Sequence, residues 1–100
     1  MPGFTTIWEF HVEPGREQEF VAHYGPSGSW AALFREAPGY VETLLLEDRE
    51  AKLHYITVDR WRDRDAYLDF RNRYAVQYAE LDAQCEALTT SERCLDSFGE

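Results

Sequence analysis

One tryptophan and a row of tyrosines are the side chains in this sequence best suited to chemistry. Trp61 ends a run rich in β-branched and aromatic residues, Leu53–Trp61. Later in the sequence, apolar side chains recur at steps of three and four: Tyr67, Phe70, Tyr74, Tyr78, Leu81, Cys85 and Leu88. This spacing places them on one face of a helix. Indole and phenol groups can both pack against an aromatic molecule and donate hydrogen bonds to its oxygens. We expect any pocket to lie where this face turns back towards Trp61.

Both features also have a purely structural interpretation. Helical spacing alone is explained by an amphipathic helix that packs on a core. The tyrosines favour a pocket, because each buried hydroxyl needs a hydrogen-bond partner that Leu or Phe would not need. Trp61 could likewise donate its indole N–H to a substrate or simply cover the end of the sheet.

Other reactive side chains show no catalytic pattern. The three histidines, His11, His23 and His54, fall on different predicted elements without metal-ligand spacing, so we predict no metal site. Cys85 and Cys94 form no C-x-x-C motif, which favours a reduced, cytoplasmic protein. Acidic residues near the predicted helix starts are explained by the helix dipole.

Length and charge narrow the class of protein. One hundred residues suit a single domain, which we predict to span residues 1–100. The net charge of −9 argues against partners that are nucleic acids or anionic membranes. The first residues lack a basic start and an apolar signal core, so we expect no export. The apolar run Leu44–Leu46 is too short to span a bilayer.

The elements that must position these side chains follow from periodicity and turn signals. Period-two alternation predicts strands at Phe4–Val12, Tyr40–Glu47 and Leu53–Trp61, with a weaker strand at Arg93–Phe98. Pro14-Gly15 ends the first strand, and a helix starts at Arg16; Gly25–Ser29 interrupts it, and Trp30–Glu36 resumes it. Asp63 is the predicted N-cap of the long second helix, which bends near Tyr78 and closes at Thr89–Ser91.

The resulting order, β-α-β-β-α-β, predicts an α+β, ferredoxin-like fold with an antiparallel sheet. A faint repeat of about fifty residues relates its halves and places Phe20 opposite Phe70. Both faces of the second and third strands carry large apolar side chains, whereas a sheet with one wet face should alternate more clearly. We therefore expect the second face to pack on another copy of the chain.

Three stretches resemble one family. Ile7-Trp-Glu-Phe-x-Val-x-Pro-Gly15, Ala37-Pro-Gly-Tyr40 followed by Leu44–Leu46, and Thr57-Val-Asp-Arg-Trp61 with Ala66-Tyr67 and Phe70 are similar to the antibiotic biosynthesis monooxygenase domain family. The resemblance covers nearly the whole chain, and its most specific part is the tryptophan at the end of the third strand. It implies a dimeric α+β barrel in which two ferredoxin-like sheets face each other. It also implies oxidation of aromatic polyketides by O₂ without a cofactor in some members, and haem degradation in others.

The resemblance also suggests site residues. The quinol-oxidising members place a Trp, a Tyr and an Asn around an aromatic substrate, and Trp61 matches the Trp. Tyr67, Tyr74 or Tyr78 could supply the phenol, but Asn72, the one asparagine, lies off the aromatic face. The haem-degrading members use an Asn near the place of Trp8 and a helical His. No His follows His54, so we predict weak or absent haem binding.

We therefore predict a homodimer that acts on a flat phenol or quinol with O₂ and no cofactor. The predicted catalytic residues are Trp61 and Tyr74, and the predicted substrate-binding residues are Trp8, Tyr67, Phe70 and Tyr78. The alternative is a non-enzymatic ligand-binding or dimerisation module of the same fold, which the missing asparagine favours.

Overall fold

Four strands and two helical connections, one after the first strand and one after the third, form the fold that the sequence pattern predicts. The computed structural model describes residues 3–99, so residues 1, 2 and 100 of the predicted domain lie outside it. The elements are β1 (Phe4–Val12), α1 (Glu17–Tyr24), α2 (Ser29–Phe34), β2 (Tyr40–Glu47), β3 (His54–Trp61), α3 (Arg64–Arg73), α4 (Ala75–Cys85), a 3-10 turn (Glu86–Leu88) and β4 (Thr89–Gly99). The strands form one antiparallel sheet in the order β2-β3-β1-β4. This is the predicted α+β, ferredoxin-like arrangement.

Several boundaries differ from the prediction. β3 begins at His54 rather than Leu53, because Leu53 has a φ of 67°, which no strand residue adopts. The last strand already begins at Thr89, where a closing turn was expected, and pairs with β1 along its length.

The predicted bend near Tyr78 is wrong, because the helix breaks at Tyr74. The φ and ψ of Tyr74 are −107° and 26°, outside the helical region. The predicted apolar face nevertheless continues across this break, because the Phe70 ring contacts both Tyr74 and Tyr78, with centroids 5.5 and 6.3 Å away. Towards its two ends the partners differ: Tyr67 packs on Trp61, and Tyr78 also packs on Trp30 of α2.

Two local interactions hold the start of α3 against the sheet. Asp63 is the N-cap, as predicted, and its Oδ1 accepts a hydrogen bond from the Ala66 N–H at 2.8 Å. Gly39 precedes β2 with a φ of 92°, and a Cβ placed there would lie 2.6 Å from the Ala66 Cβ. Pro38-Gly39 is therefore a turn whose backbone lies close against Ala66 of α3.

The helices cover one face of the sheet, which we call the covered face. Its core is strongly aromatic and includes Phe20 and Phe70, the two residues that the internal repeat aligned, both fully buried. Phe20 contacts Phe10 and Tyr24, and Phe70 contacts Phe34 and Trp61.

The other face, which we call the open face, is covered by no element of the described chain. Its apolar side chains are Ile7, Leu44, Leu46, Ile56, Val58 and Phe98; Leu46 is 51% exposed and Phe98 is 49% exposed. The predicted two-sided apolar character of β2 and β3 is therefore observed. Within residues 3–99, no helix has the length and hydropathy needed to cross a bilayer.

Candidate active site

A cavity of about 230 Å³ lies between the covered face and the helices. Side chains from all four strands and all four helices line it: Trp8, Phe10, Tyr24, Trp30, Phe34, Thr43, Thr57, Asp59, Arg71, Tyr78, Asp82 and Glu92.

Aromatic rings form most of its wall. Trp30 of α2 and Tyr78 of α4 meet edge to face, with their ring centroids 4.8 Å apart. On the sheet, Trp8 and Phe10 present nearly parallel rings, with centroids 6.4 Å apart. Flat, apolar walls of this kind favour a flat aromatic ligand, because ring faces and edges then stay in contact after water is expelled.

The inner end of the cavity is polar and buried. Thr43, Thr57 and Asp59 point inwards from β2 and β3, and Asp59 is 8% exposed. The Thr43 hydroxyl donates to Asp59 Oδ1 at 2.8 Å. Thr43 has a single hydroxyl hydrogen, so in this arrangement the Tyr40 hydroxyl donates to Thr43 Oγ1, at 2.7 Å. Burial raises the pKa of Asp59 to about 6, and the hydrogen bond from Thr43 opposes that rise.

The outer end is charged and exposed. The guanidinium of Arg71 lies 4.0 Å from the centroid of the Tyr78 ring and donates to the Tyr67 hydroxyl at 3.0 Å. Asp82 and Glu92 stand on the same rim, and the pKa of Glu92 is raised by burial and by the nearby Asp82. We call these three side chains, Arg71, Asp82 and Glu92, the mouth of the cavity.

Comparison with known proteins decides the family. A family described as antibiotic biosynthesis monooxygenase matches residues 3–80, more than three quarters of the chain. The chain belongs to the antibiotic biosynthesis monooxygenase family. Compared with the curated proteins, its sequence has no significant match.

Solved structures of this family share the fold at low sequence identity. A mutant of SnoaB, a cofactor-independent oxygenase from Streptomyces nogalater, aligns with a TM-score of 0.74 at 22% identity, over 96% of this chain and 90% of that one. A putative antibiotic biosynthesis monooxygenase from Bordetella bronchiseptica aligns with a TM-score of 0.72 at 23% identity, over 100% and 96%. A putative antibiotic biosynthesis monooxygenase from Nitrosomonas europaea aligns with a TM-score of 0.74 at 10% identity, over 98% of this chain and 89% of that one. These likenesses show the fold.

The structure distributes the predicted site residues of this family member among three places. Trp8 and Tyr78 line the cavity. Trp61, Tyr67 and Phe70 lie beside it in a packed aromatic cluster, where Trp61 is 2% exposed and its ring centroid is 5.6 Å from that of Phe34, a lining residue.

The two predicted catalytic residues are also apart from the cavity wall. The Trp61 indole N–H is buried and has no hydrogen-bond partner among the described residues. The Tyr74 hydroxyl donates to the Glu36 carbonyl at 3.2 Å, near the surface. The catalytic roles of Trp61 and Tyr74 stay predictions.

Sequence reasoning missed the polar end of the site. Asp59 alternates in phase with Tyr55 and Trp61 along β3, so the three side chains share one face of the strand. An acidic residue in the inward phase of an otherwise apolar strand was therefore the available signal. Arg71 and Asp82 offered no such signal, because charged residues on a helix are ordinary on its exposed side.

Two of the three histidines, His11 and His54, lie on the sheet, and His23 lies on α1. On the open face, the rings of His11 and His54 stack with centroids 4.7 Å apart. His54 is half-buried, with Nδ1 2.7 Å from Asp48 Oδ2 and Nε2 2.7 Å from Glu9 Oε2. Among the described residues, no three or more His, Cys, Asp or Glu side chains converge as metal ligands would.

Proposed function

We propose that this protein is a cofactor-independent monooxygenase whose substrate is a flat phenol or quinol bound in the aromatic cavity. The supporting observation is the combination of aromatic walls and a buried polar end that includes an ionisable carboxyl group. Family membership supports the reaction class, and SnoaB, which shares the fold, is a cofactor-independent oxygenase.

The chemistry begins with the loss of a proton from the substrate hydroxyl. The resulting anion is rich in electrons and can reduce O₂ directly. For a phenol, one ring C–H becomes C=O, one oxygen atom of O₂ enters the product, and the other leaves as water. Atoms and electrons balance as phenol plus O₂ giving quinone plus water. The protein orients the ring, excludes bulk water and stabilises the developing oxyanion.

Cavity size limits the substrate. A volume of about 230 Å³ is below the ~300–1,000 Å³ typical of pockets for drug-sized ligands. We expect the part of the substrate inside the cavity to be one or two fused rings. Any further ring of a polyketide-like molecule would extend past the mouth, between Arg71 and the two acids.

The experiment is oxygen uptake by purified, chelator-treated protein with dihydroxynaphthalene and anthrone as probes. We expect one O₂ consumed per quinone formed, and one labelled oxygen atom in the product when labelled O₂ gas is used. Quenching of tryptophan fluorescence reports binding separately, since Trp8 and Trp30 line the cavity. A Thr57→Phe variant, which fills the cavity, should lose both signals while keeping its circular dichroism spectrum.

The same assay tests the predicted catalytic residues. A role for Trp61 as an oxyanion donor requires Trp61→Phe to lose roughly a hundred-fold in rate without a large change in melting temperature. A lower melting temperature with full activity would assign Trp61 to the core.

The alternative function is a non-enzymatic module that binds aromatic ligands. Saturable quenching by dihydroxynaphthalene with no oxygen uptake by any probe would establish it and exclude the oxygenase. The absence of an asparagine where the quinol-oxidising members carry one favours this alternative, whereas the buried carboxyl group favours the enzyme.

We also propose that the protein is a homodimer joined through its open faces. The apolar side chains there, led by Leu44, Leu46 and Phe98, are too exposed for a stable isolated surface. An obligate interface would bury on the order of 2,000 Å². Light scattering at micromolar concentration should give twice the chain mass, and Leu46→Asp should give a monomer. A wild-type monomer would contradict this proposal.

A further inference from the structure

Asp59 is the one carboxyl group at the inner end of the cavity among the described residues. The other two acids that line it, Asp82 and Glu92, stand at the exposed mouth. The neighbours of Asp59 at the inner end are the hydroxyls of Thr43 and Thr57, which are buried with it. A ligand that fills the cavity must therefore present one of its ends to this carboxyl group.

No cation neutralises Asp59 in the part of the chain that the structure describes. Arg71 lines the same cavity, but its guanidinium is held by the Tyr67 hydroxyl and the Tyr78 ring. The hydrogen bond to Asp59 comes from Thr43 and reaches Oδ1. A carboxylate buried without a cation is costly, and Asn could accept the same hydrogen bond from Thr43 without that cost. Packing alone therefore does not explain an acid here.

We propose that Asp59 is the proton acceptor of this site and that its ligand carries an acidic hydroxyl, as phenols, quinols and enols do. This rests on the proposed oxygenase function and adds the group that starts the reaction. Because Thr43 occupies Oδ1, Oδ2 is the atom that takes the proton.

The step balances without any further reactant. The O–H bond of the bound hydroxyl breaks, its electron pair stays on the substrate oxygen, and a new O–H bond forms on Asp59 Oδ2. Oxidation of the anion by O₂ then forms the carbonyl of the product. The hydrogen from the ring carbon and the proton held by Asp59 leave with the second oxygen atom as water, which restores the carboxylate.

The groups that face Asp59 explain why it can act near neutral pH. Burial raises its pKa to about 6, so it is mostly ionised at pH 7 yet a stronger base than a surface carboxylate. Tyr40 is connected to Asp59 by the hydroxyl of Thr43. The other charged and titratable side chains around the cavity are Tyr24, Arg71, Tyr78, Asp82 and Glu92. Burial and the Thr43 hydroxyl are what shift the titration of Asp59. Thr43 and Tyr40 are therefore positioning residues.

The test compares the wild type with Asp59→Asn, with Asp69→Asn as the control on the exposed side of α3. The first readout needs no turnover: the affinity for dihydroxynaphthalene relative to its dimethyl ether, followed from pH 5 to pH 8 by tryptophan fluorescence. In the wild type, the preference for the hydroxyl compound should increase as pH rises through about 6. It should be flat and smaller in Asp59→Asn, and unchanged in Asp69→Asn.

The second readout is the pH profile of oxygen uptake. We expect kcat/KM to fall about a hundred-fold or more in Asp59→Asn and to lose its acidic limb. Thr43→Val should move that limb to higher pH, because the hydrogen bond that lowers the Asp59 pKa is lost.

The outcomes separate the two proposals. If Asp59→Asn keeps the wild-type hydroxyl preference and pH profile, Asp59 is not the proton acceptor, whether or not the protein is an oxygenase. If the wild type shows the pH-dependent preference, Asp59→Asn removes it and the wild type consumes no O₂ with any probe, the oxygenase proposal fails, and Asp59 remains the group that recognises the acidic hydroxyl.

Discussion

The two faces of the sheet hold carboxylates in opposite ways. On the open face, Glu9 and Asp48 flank His54, and Arg93 donates to Glu9 Oε1 at 2.9 Å. The pKa of Glu9 and that of Asp48 are lowered, mainly by the hydrogen bond with His54, and the pKa of His54 is raised, mainly by Asp48 and then by Glu9. On the covered face, Asp59 has a hydroxyl partner and no cation, and its pKa is raised to about 6.

This difference in pairing indicates that the open-face carboxylates have a structural role, whereas Asp59 belongs to a ligand site. Every charge of the open-face network has an opposite charge beside it, so the network stabilises the folded chain and leaves no group poised to react. Asp59 is maintained at a cost to stability, which is the common condition of groups that act on a ligand. Three substitutions test this contrast.

The largest effect on stability is expected for Asp59→Asn. Because the folded-state pKa is raised from 3.8 to about 6, the wild type should lose stability as pH rises from about 4 to about 6. The shift corresponds to about 3 kcal/mol. The variant should not show this loss, so near pH 7 it should be more stable than the wild type by up to that amount. Urea unfolding at pH 4 and pH 7 measures both; a variant less stable than the wild type at pH 7 would show that Asp59 stabilises the fold.

A smaller effect is expected for Tyr40→Phe. The ring contacts with Phe34 and Trp61 remain, and the hydroxyl that donates to Thr43 is lost. A half-buried neutral hydrogen bond contributes about 1 kcal/mol, so the unfolding free energy should fall by about that much. The titration of Asp59, followed by carbon NMR of its carboxyl group, should move to higher pH. An unchanged titration would show that Tyr40 does not act through Thr43.

The smallest effect is expected for His54→Gln, and its pH dependence falls in a different pH range. The raised pKa of His54 gives stability that is present below its ordinary value of 6.5 and is lost as pH rises through the folded-state value. The lowered pKa values of Glu9 and Asp48 give stability that is present above 4.5 and 3.8 and is lost in more acidic solution. The wild type should therefore exceed the variant most between pH 4.5 and 6.5.

Thermal unfolding at pH 5.5 and pH 8.5 measures this difference, and Lys52→Gln on the exposed β2–β3 turn is a matched control. A gap between wild type and His54→Gln that grows from pH 5.5 to pH 8.5 would contradict a protonated His54 between two carboxylates.

Much of the fold could be predicted because its determinants are local. The alternation along Phe4–Val12 and Tyr40–Glu47, the turns at Pro14-Gly15 and Pro38-Gly39, and the cap at Asp63 each depend on neighbours within a few residues. The apolar open face was visible for the same reason, since a strand exposes alternate side chains.

Only the tertiary structure determined where the cavity lies. Helical periodicity put Tyr67, Phe70, Tyr74 and Tyr78 on one face, and Phe70 does contact Tyr74 and Tyr78. Only the structure shows that Tyr67 packs on Trp61, whereas Tyr78 packs on Trp30. The cavity opens beside Trp30 and Tyr78, while the room around Trp61 is filled by Phe34, Tyr40, Tyr67 and Phe70. Periodicity determines which way a side chain points, but whether it meets a void or another ring depends on the packing of segments far apart in the chain. Asp59 depends on both. The alternation of the strand sequence determines that its side chain points inwards, and the packing of the helices on the sheet determines that no cation lies beside it among the described residues.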